Sequence, residues 1–148
     1  MTGAAFTFRS TWPVPVDASR LWELIGVLLE SDDPMVWWPS VRTLAYSGDR
    51  LTVEADSRLG YRLEFSLTDL RVDRPHGLSF RGEGELDGAG RVAVTGAPTA
   101  TLVIDWTATP RPGWMQGRWL RPWLRLGHRL VMRQGRRHFT AWVVRATA

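Results

Sequence analysis

Residues 114–144, WMQGRWLRPWLRLGHRLVMRQGRRHFTAWVV, decide how the rest of the chain must be arranged. Placed at 100° per residue, Leu120, Leu124, Gly127, Val131, Gly135, His138 and Trp142 fall on one side, with His128 and Phe139 on its shoulder. Arg121, Arg125, Arg129, Arg133 and Arg137 repeat at i,i+4 on another side, joined by Arg136. A helix with one apolar and one basic face buries the first and leaves the second in water. The segment therefore predicts a long helix that needs a sheet to lie on. Ahead of it, Thr109-Pro110-Arg111-Pro112-Gly113 is a stiff connector, because proline cannot continue a strand. Pro122 disfavours helix at Arg121, so a short piece at about 114–120 should precede a main helix from Pro122 onward. Gly127 and Gly135 each cost roughly 1 kcal/mol of helix propensity against Ala. On the inner face they leave room, for close sheet contact or for something else.

The sheet is written upstream. Phe6, Phe8, Ser10 and Trp12 alternate with polar residues in a first strand that stops at Pro13-Val14-Pro15. Asp17 can cap the helix that follows, with Leu21, Trp22, Ile25, Leu28 and Leu29 as its buried stripe. Ser31-Asp32-Asp33-Pro34 signals a second, short helical turn over Pro34–Trp38, stopped by Pro39. From Val41 to Ala108 the period becomes two. Val41–Tyr46, Leu51–Ser57, Tyr61–Leu70, Leu78–Leu86, Arg91–Val94 and Thr99–Thr107 are strands joined by Gly-rich turns, among them Asp87-Gly88-Ala89-Gly90. Pairing Ala55 with Tyr61 and Val53 with Leu63 keeps the apolar faces together and sets Glu54 opposite Arg62. Seven antiparallel strands, two short helices after the first and one long helix last make an α+β chain.

With 148 residues, 44% of them hydrophobic, and no linker or low-complexity run, residues 1–148 are expected to form one domain. Cysteine is absent, which excludes disulfides, thiolate metal sites and cysteine nucleophiles and fits a reducing compartment. Neither a signal peptide nor a long apolar run is present, so a soluble, cytoplasmic protein is expected. Residues 111–148 carry nine Arg and no acid, against ten Arg and fifteen acids in residues 1–110. That asymmetry fits a solvated helix face beside an acidic sheet, with an anionic surface partner as the sharper reading. Nucleic acid is not expected, because the basic run is one face of one element without an interleaved aromatic platform.

The order of elements resembles the helix-grip fold of the START-like (SRPBCC) superfamily, and within it the bacterial polyketide cyclase/dehydrase and lipid-transport branch. The residues carrying the likeness are Val14-Pro-Val-Asp-Ala-Ser-Arg-Leu-Trp-Glu-Leu24, Trp37-Trp38-Pro39-Ser40-Val41, Gly84-Glu-Leu-Asp-Gly-Ala-Gly90, Trp106 and Gly127-His128-Arg-Leu-Val-Met132. They are fold markers rather than a catalytic signature. The resemblance implies a curved sheet gripping the last helix around an apolar cavity that holds a lipid, polyketide or isoprenoid-like molecule. Its wall would include Trp37 or Trp38, Tyr61, Phe80, Trp106, His128 and Met132. A competing expectation is a cyclase or dehydratase-like enzyme using His128 or Tyr61 for proton transfer, although fold alone does not settle function.

Residue types give that competitor little support. His128 could act as acid or base near neutral pH, but a histidine tied to a backbone group is the commoner case. No His/Glu spacing suits a metal, and no nucleophile elbow is present, so neither metal nor cofactor is expected. Trp114, Trp119 and Trp123 beside Arg111, Arg118, Arg121 and Arg125 make a composition suited to a lipid headgroup boundary. A transient contact with an anionic membrane follows if those rings are exposed, although the sequence favours their packing on the sheet and first helices.

Overall fold

The computed structural model describes residues 5–148. The alternating stretches form the strands β1 (Phe6–Pro13), β2 (Val41–Tyr46), β3 (Leu51–Asp56), β4 (Arg62–Asp73), β5 (Gly77–Gly84), β6 (Leu86–Thr95) and β7 (Thr101–Pro110). Their spatial order is β1-β7-β6-β5-β4-β3-β2, every pair antiparallel. Six strands thus run as consecutive hairpins while the first closes against the last. Helix α1 (Ala18–Glu30) follows β1, and helix α2 (Arg121–Ala146) ends the chain. This is the α+β helix-grip architecture.

Helix α1 begins where the Asp17 carboxylate accepts the Arg20 amide at 2.8 Å, and it buries Leu21, Trp22, Leu24, Ile25 and Leu28. After it, Pro34–Trp38 makes only i→i+3 turns, through Val36 to Asp33 and Trp38 to Met35. One helix rather than two therefore stands between β1 and β2. Two proline-bounded turns leave too few residues for an i→i+4 ladder. Their role is to deliver Trp37 and Trp38 to the interior, the second pinned by its indole N–H donating to the Val131 carbonyl at 3.2 Å.

Three other expectations shift. The β3–β4 register is two residues longer than expected, with Ala55 opposite Leu63 and Val53 opposite Phe65. The even shift keeps every side chain on its face. The longer loop is held by the Ser57 amide and hydroxyl, both donating to Tyr61 O, and by Arg58 and Gly60 at φ 67° and 95°. Arg62 then lies opposite Asp56 rather than Glu54 and ion-pairs loosely with both, at 3.8 and 3.9 Å. Second, residues 87–90 lie inside β6 rather than in a turn, and the chain reverses at Gly84-Glu85. Gly90 sits between Phe80 and Trp106 on neighbouring strands, where a Cβ would fall 2.7 Å from the indole. The glycine accommodates rings; it does not make a turn. Third, His138 is exposed, and the buried line of α2 is Leu124, Gly127, Gly135, Phe139 and Val143.

The connector to α2 forms two 3-10 turns, Gly113–Gln116 and Arg118–Leu120, matching the short first piece ahead of the proline-started helix. Helix α2 then spans the concave side. Leu124 packs with Phe6, Leu63 and Met115, Val131 with the β2–β3 cluster of Val41, Leu51 and Val53, and Phe139 and Val143 with Trp12, Leu102 and α1.

Candidate functional site

Between sheet and helix lies an apolar cavity of about 350 Å³. One end is an aromatic box. Trp37 stacks on Trp38 at 4.9 Å, and both meet Trp12 edge-on, at 6.0 and 5.7 Å. Phe139 closes on Trp37 from α2 at 4.9 Å. Edge-to-face and offset arrangements of this kind fix ring orientation as well as burying area. Gly135 makes the box possible, since a Cβ there would stand 2.6 Å from the Trp38 ring.

The floor comes from the sheet. Trp106 of β7 lies 5.3 Å from Phe80 across Gly90 and 6.2 Å from Phe65. Val131 and Met132 line the cavity from α2.

The opposite end carries the chemistry. The His128 ring stacks on Phe8 with centroids 3.6 Å apart and planes 14° from parallel. Among the described residues it makes no side-chain hydrogen bond, so the backbone tie expected of a structural histidine is absent. Burial pushes its pKa down to about 4, so the ring is neutral at physiological pH. No fully buried side-chain nitrogen or oxygen is left unpaired among the described residues, so the ring nitrogens border open space. Tyr61 projects toward α2 with its hydroxyl at Gly127, where a Cβ would overlap it. Burial raises the Tyr61 pKa, partly offset by the Ser57 hydroxyl. Two other polar cavity residues are already engaged: the Tyr46 hydroxyl donates to Leu29 O, and the Ser57 hydroxyl to Tyr61 O.

All seven residues expected to wall the cavity, Trp37, Trp38, Tyr61, Phe80, Trp106, His128 and Met132, border it. Sequence reasoning missed Phe8 as the partner of His128 and Phe65 as part of the floor. Alternation marked both as inward, but nothing local states which rung meets which turn of the helix. No group of three or more His, Asp or Glu side chains suited to a metal occurs among the described residues.

The curved sheet and gripped helix, with an apolar cavity between them, make a helix-grip fold of the START-like type. Solved structures agree on the fold. A protein from Thermus thermophilus matches with TM-score 0.72 at 15% identity, over 97% of this chain and 100% of that one. An aromatase/cyclase from a Streptomyces species matches with TM-score 0.69 at 13% identity, covering 98% and 97%. A START superfamily protein from Mycobacterium smegmatis matches with TM-score 0.61 at 13% identity, covering 95% and 98%. No family model matches the sequence, and no curated protein does. At such identities the likeness defines architecture, and the side chains of the site must be read on their own terms.

Proposed function

We propose that this protein binds one small hydrophobic molecule, of lipid, polyketide or isoprenoid-like character, in the cavity between sheet and α2. The observation carrying this is the cavity itself: about 350 Å³, walled almost wholly by aromatic and aliphatic side chains. Ligand sites are typically apolar hollows of ~300–1,000 Å³ with few polar groups to fix orientation. Here the candidates for orientation are His128 and Tyr61, both toward the Phe8 end. A neutral imidazole offers one donor and one acceptor, and a phenol offers the same, so a ligand carrying one hydroxyl or carbonyl at one end fits best. Trp37, Trp38, Phe80, Trp106 and Met132 would hold its apolar body.

The competing reading is a cyclase or dehydratase-like enzyme with His128 or Tyr61 moving a proton. One observation favours keeping it: His128 is neutral and has no hydrogen-bond partner among the described residues. Its depressed pKa of about 4 weakens the case, because a general base works best with a pKa near the operating pH. Binding is therefore the reading supported better.

Native mass spectrometry of freshly purified protein, followed by identification of the organic extract, tests it. A bound apolar molecule in one-to-one ratio is expected. An empty protein that also takes up nothing from a lipid extract would overturn the reading.

A further inference from the structure

The three tryptophans ahead of and within the start of α2 do not pack away. Trp119 is 83% exposed, Trp114 49% and Trp123 45%, with Leu126 at 38% beside them. Three exposed indoles within ten residues of chain are not accounted for by the fold, since single exposed apolar residues are ordinary but groups of them mark an interface. The packing expected from the sequence is thereby replaced by a projecting apolar patch. Trp123, Leu126 and the half-buried Leu130, at i, i+3 and i+7, extend it along one side of α2.

Basic residues dominate beside the patch, although Asp87 of β6 pairs with Arg111 in the connector at 3.2 Å. Arg118, Arg125, Arg129 and Arg133 are exposed and have no carboxylate partner among the described residues, and residues 111–148 contain no acid at all. Arg125 is held over the rings of Phe6 and Phe8, 5.3 and 5.9 Å from their centroids. Trp114 ties the patch to the cavity, since its ring meets Tyr61 edge-on at 5.4 Å and Tyr61 lines the cavity wall.

We infer that this surface docks on an anionic lipid bilayer, with Trp119, Trp114 and Trp123 set at the headgroup level and the surrounding arginines facing the phosphates. Indole rings favour the membrane-water interface, and arginine supplies the attraction to anionic lipid. The contact proposed is a peripheral one, made by side chains at the start of α2; no helix among the described residues is long and apolar enough to cross a membrane. A second copy of this chain is disfavoured as the occupant, because two such faces would bring like charges together. Docking beside the Tyr61 end would let an apolar ligand pass between bilayer and cavity without crossing water. The surface goes beyond the ligand-binding reading and does not need the cavity to be filled.

Vesicle flotation with the full chain tests it, using phosphatidylcholine vesicles with and without phosphatidylglycerol. Binding is expected only to the anionic vesicles, and it should be released as salt rises toward ~0.5 M, where the screening length is well under 10 Å. Trp119→Ser should lower the bound fraction ~5-fold or more, and Arg118→Gln with Arg129→Gln should do likewise, with unchanged melting temperature in each case. Equal binding to neutral vesicles, binding indifferent to these substitutions, or no binding at low salt would overturn the inference. So would concentration-dependent dimerisation abolished by Trp119→Ser in protein that ignores vesicles. Failure here would leave ligand uptake by the cavity standing, because that is read separately by mass spectrometry.

Discussion

At the scale of single residues, His128 couples burial to pH. The folded protein holds its pKa at about 4 through desolvation, against 6.5 for the free side chain. Between those values the unfolded chain binds a proton that the fold rejects, so stability falls as pH drops from ~6.5 toward 4 and is fully present above that window. The upper bound of this contribution is ~3 kcal/mol, at ~1.4 kcal/mol per pKa unit. Urea unfolding across the window should show the stability of wild type falling relative to that of His128→Phe as pH drops from ~6.5 toward 4. The phenylalanine keeps the stack on Phe8 but cannot titrate. A difference independent of pH would mean that the imidazole is not desolvated as described. The sequence named His128 as the polar residue to watch, but its low pKa comes from burial, and its ring stacks on Phe8, 120 positions away, a pairing that no local pattern announces.

At the scale of elements, α2 shows how sequence-legible and tertiary information divide. Periodicity, Pro122 and the basic row located the start of the helix to within a residue, because those signals are local. Its inward line turned out rotated, with Phe139 and Val143 buried and His138 in water, since a helical wheel gives the width of an apolar face better than its centre. The glycines 127 and 135 were legible as vacancies but not as to what fills them: the Tyr61 hydroxyl and the Trp38 ring. Likewise Gly88 and Gly90 read as a turn because glycine pairs usually mark one, whereas β6 needs them for close approach to β7 and for the Phe80–Trp106 contact. Such uses of glycine depend on partners far along the chain. Gly127→Ala should test the vacancy. Helix propensity alone would stabilise by ~1 kcal/mol, but displacing the Tyr61 hydroxyl should more than cancel it, for a net loss of ~1–3 kcal/mol. In a Tyr61→Phe background the added methyl should cost much less, giving a coupling above ~0.5 kcal/mol in a double-mutant cycle by thermal or urea unfolding. Strict additivity would show that the hydroxyl is not seated against Gly127.

At the scale of the whole molecule, the architecture was readable from order: one strand, two short helical pieces of which only the first is a helix, six strands and a long helix leave few ways to cover one concave face. The cavity was expected from the resemblance and not from the residue pattern, because alternation gives inward residues without giving the space between them. Its aromatic box, ring-floored middle and His128–Tyr61 end arise only when β1, β4, β7, α2 and the Trp37-Trp38 turn converge. The measurement that meets the central claim most directly is titration with an apolar fluorescent probe, N-phenyl-1-naphthylamine, of wild type and a Met132→Trp variant that narrows the cavity from α2. The account predicts one probe per protein in the wild type and affinity ~10-fold or more weaker in the variant, with cooperative unfolding retained in both. No probe binding, or binding undiminished when the cavity is narrowed, would contradict it.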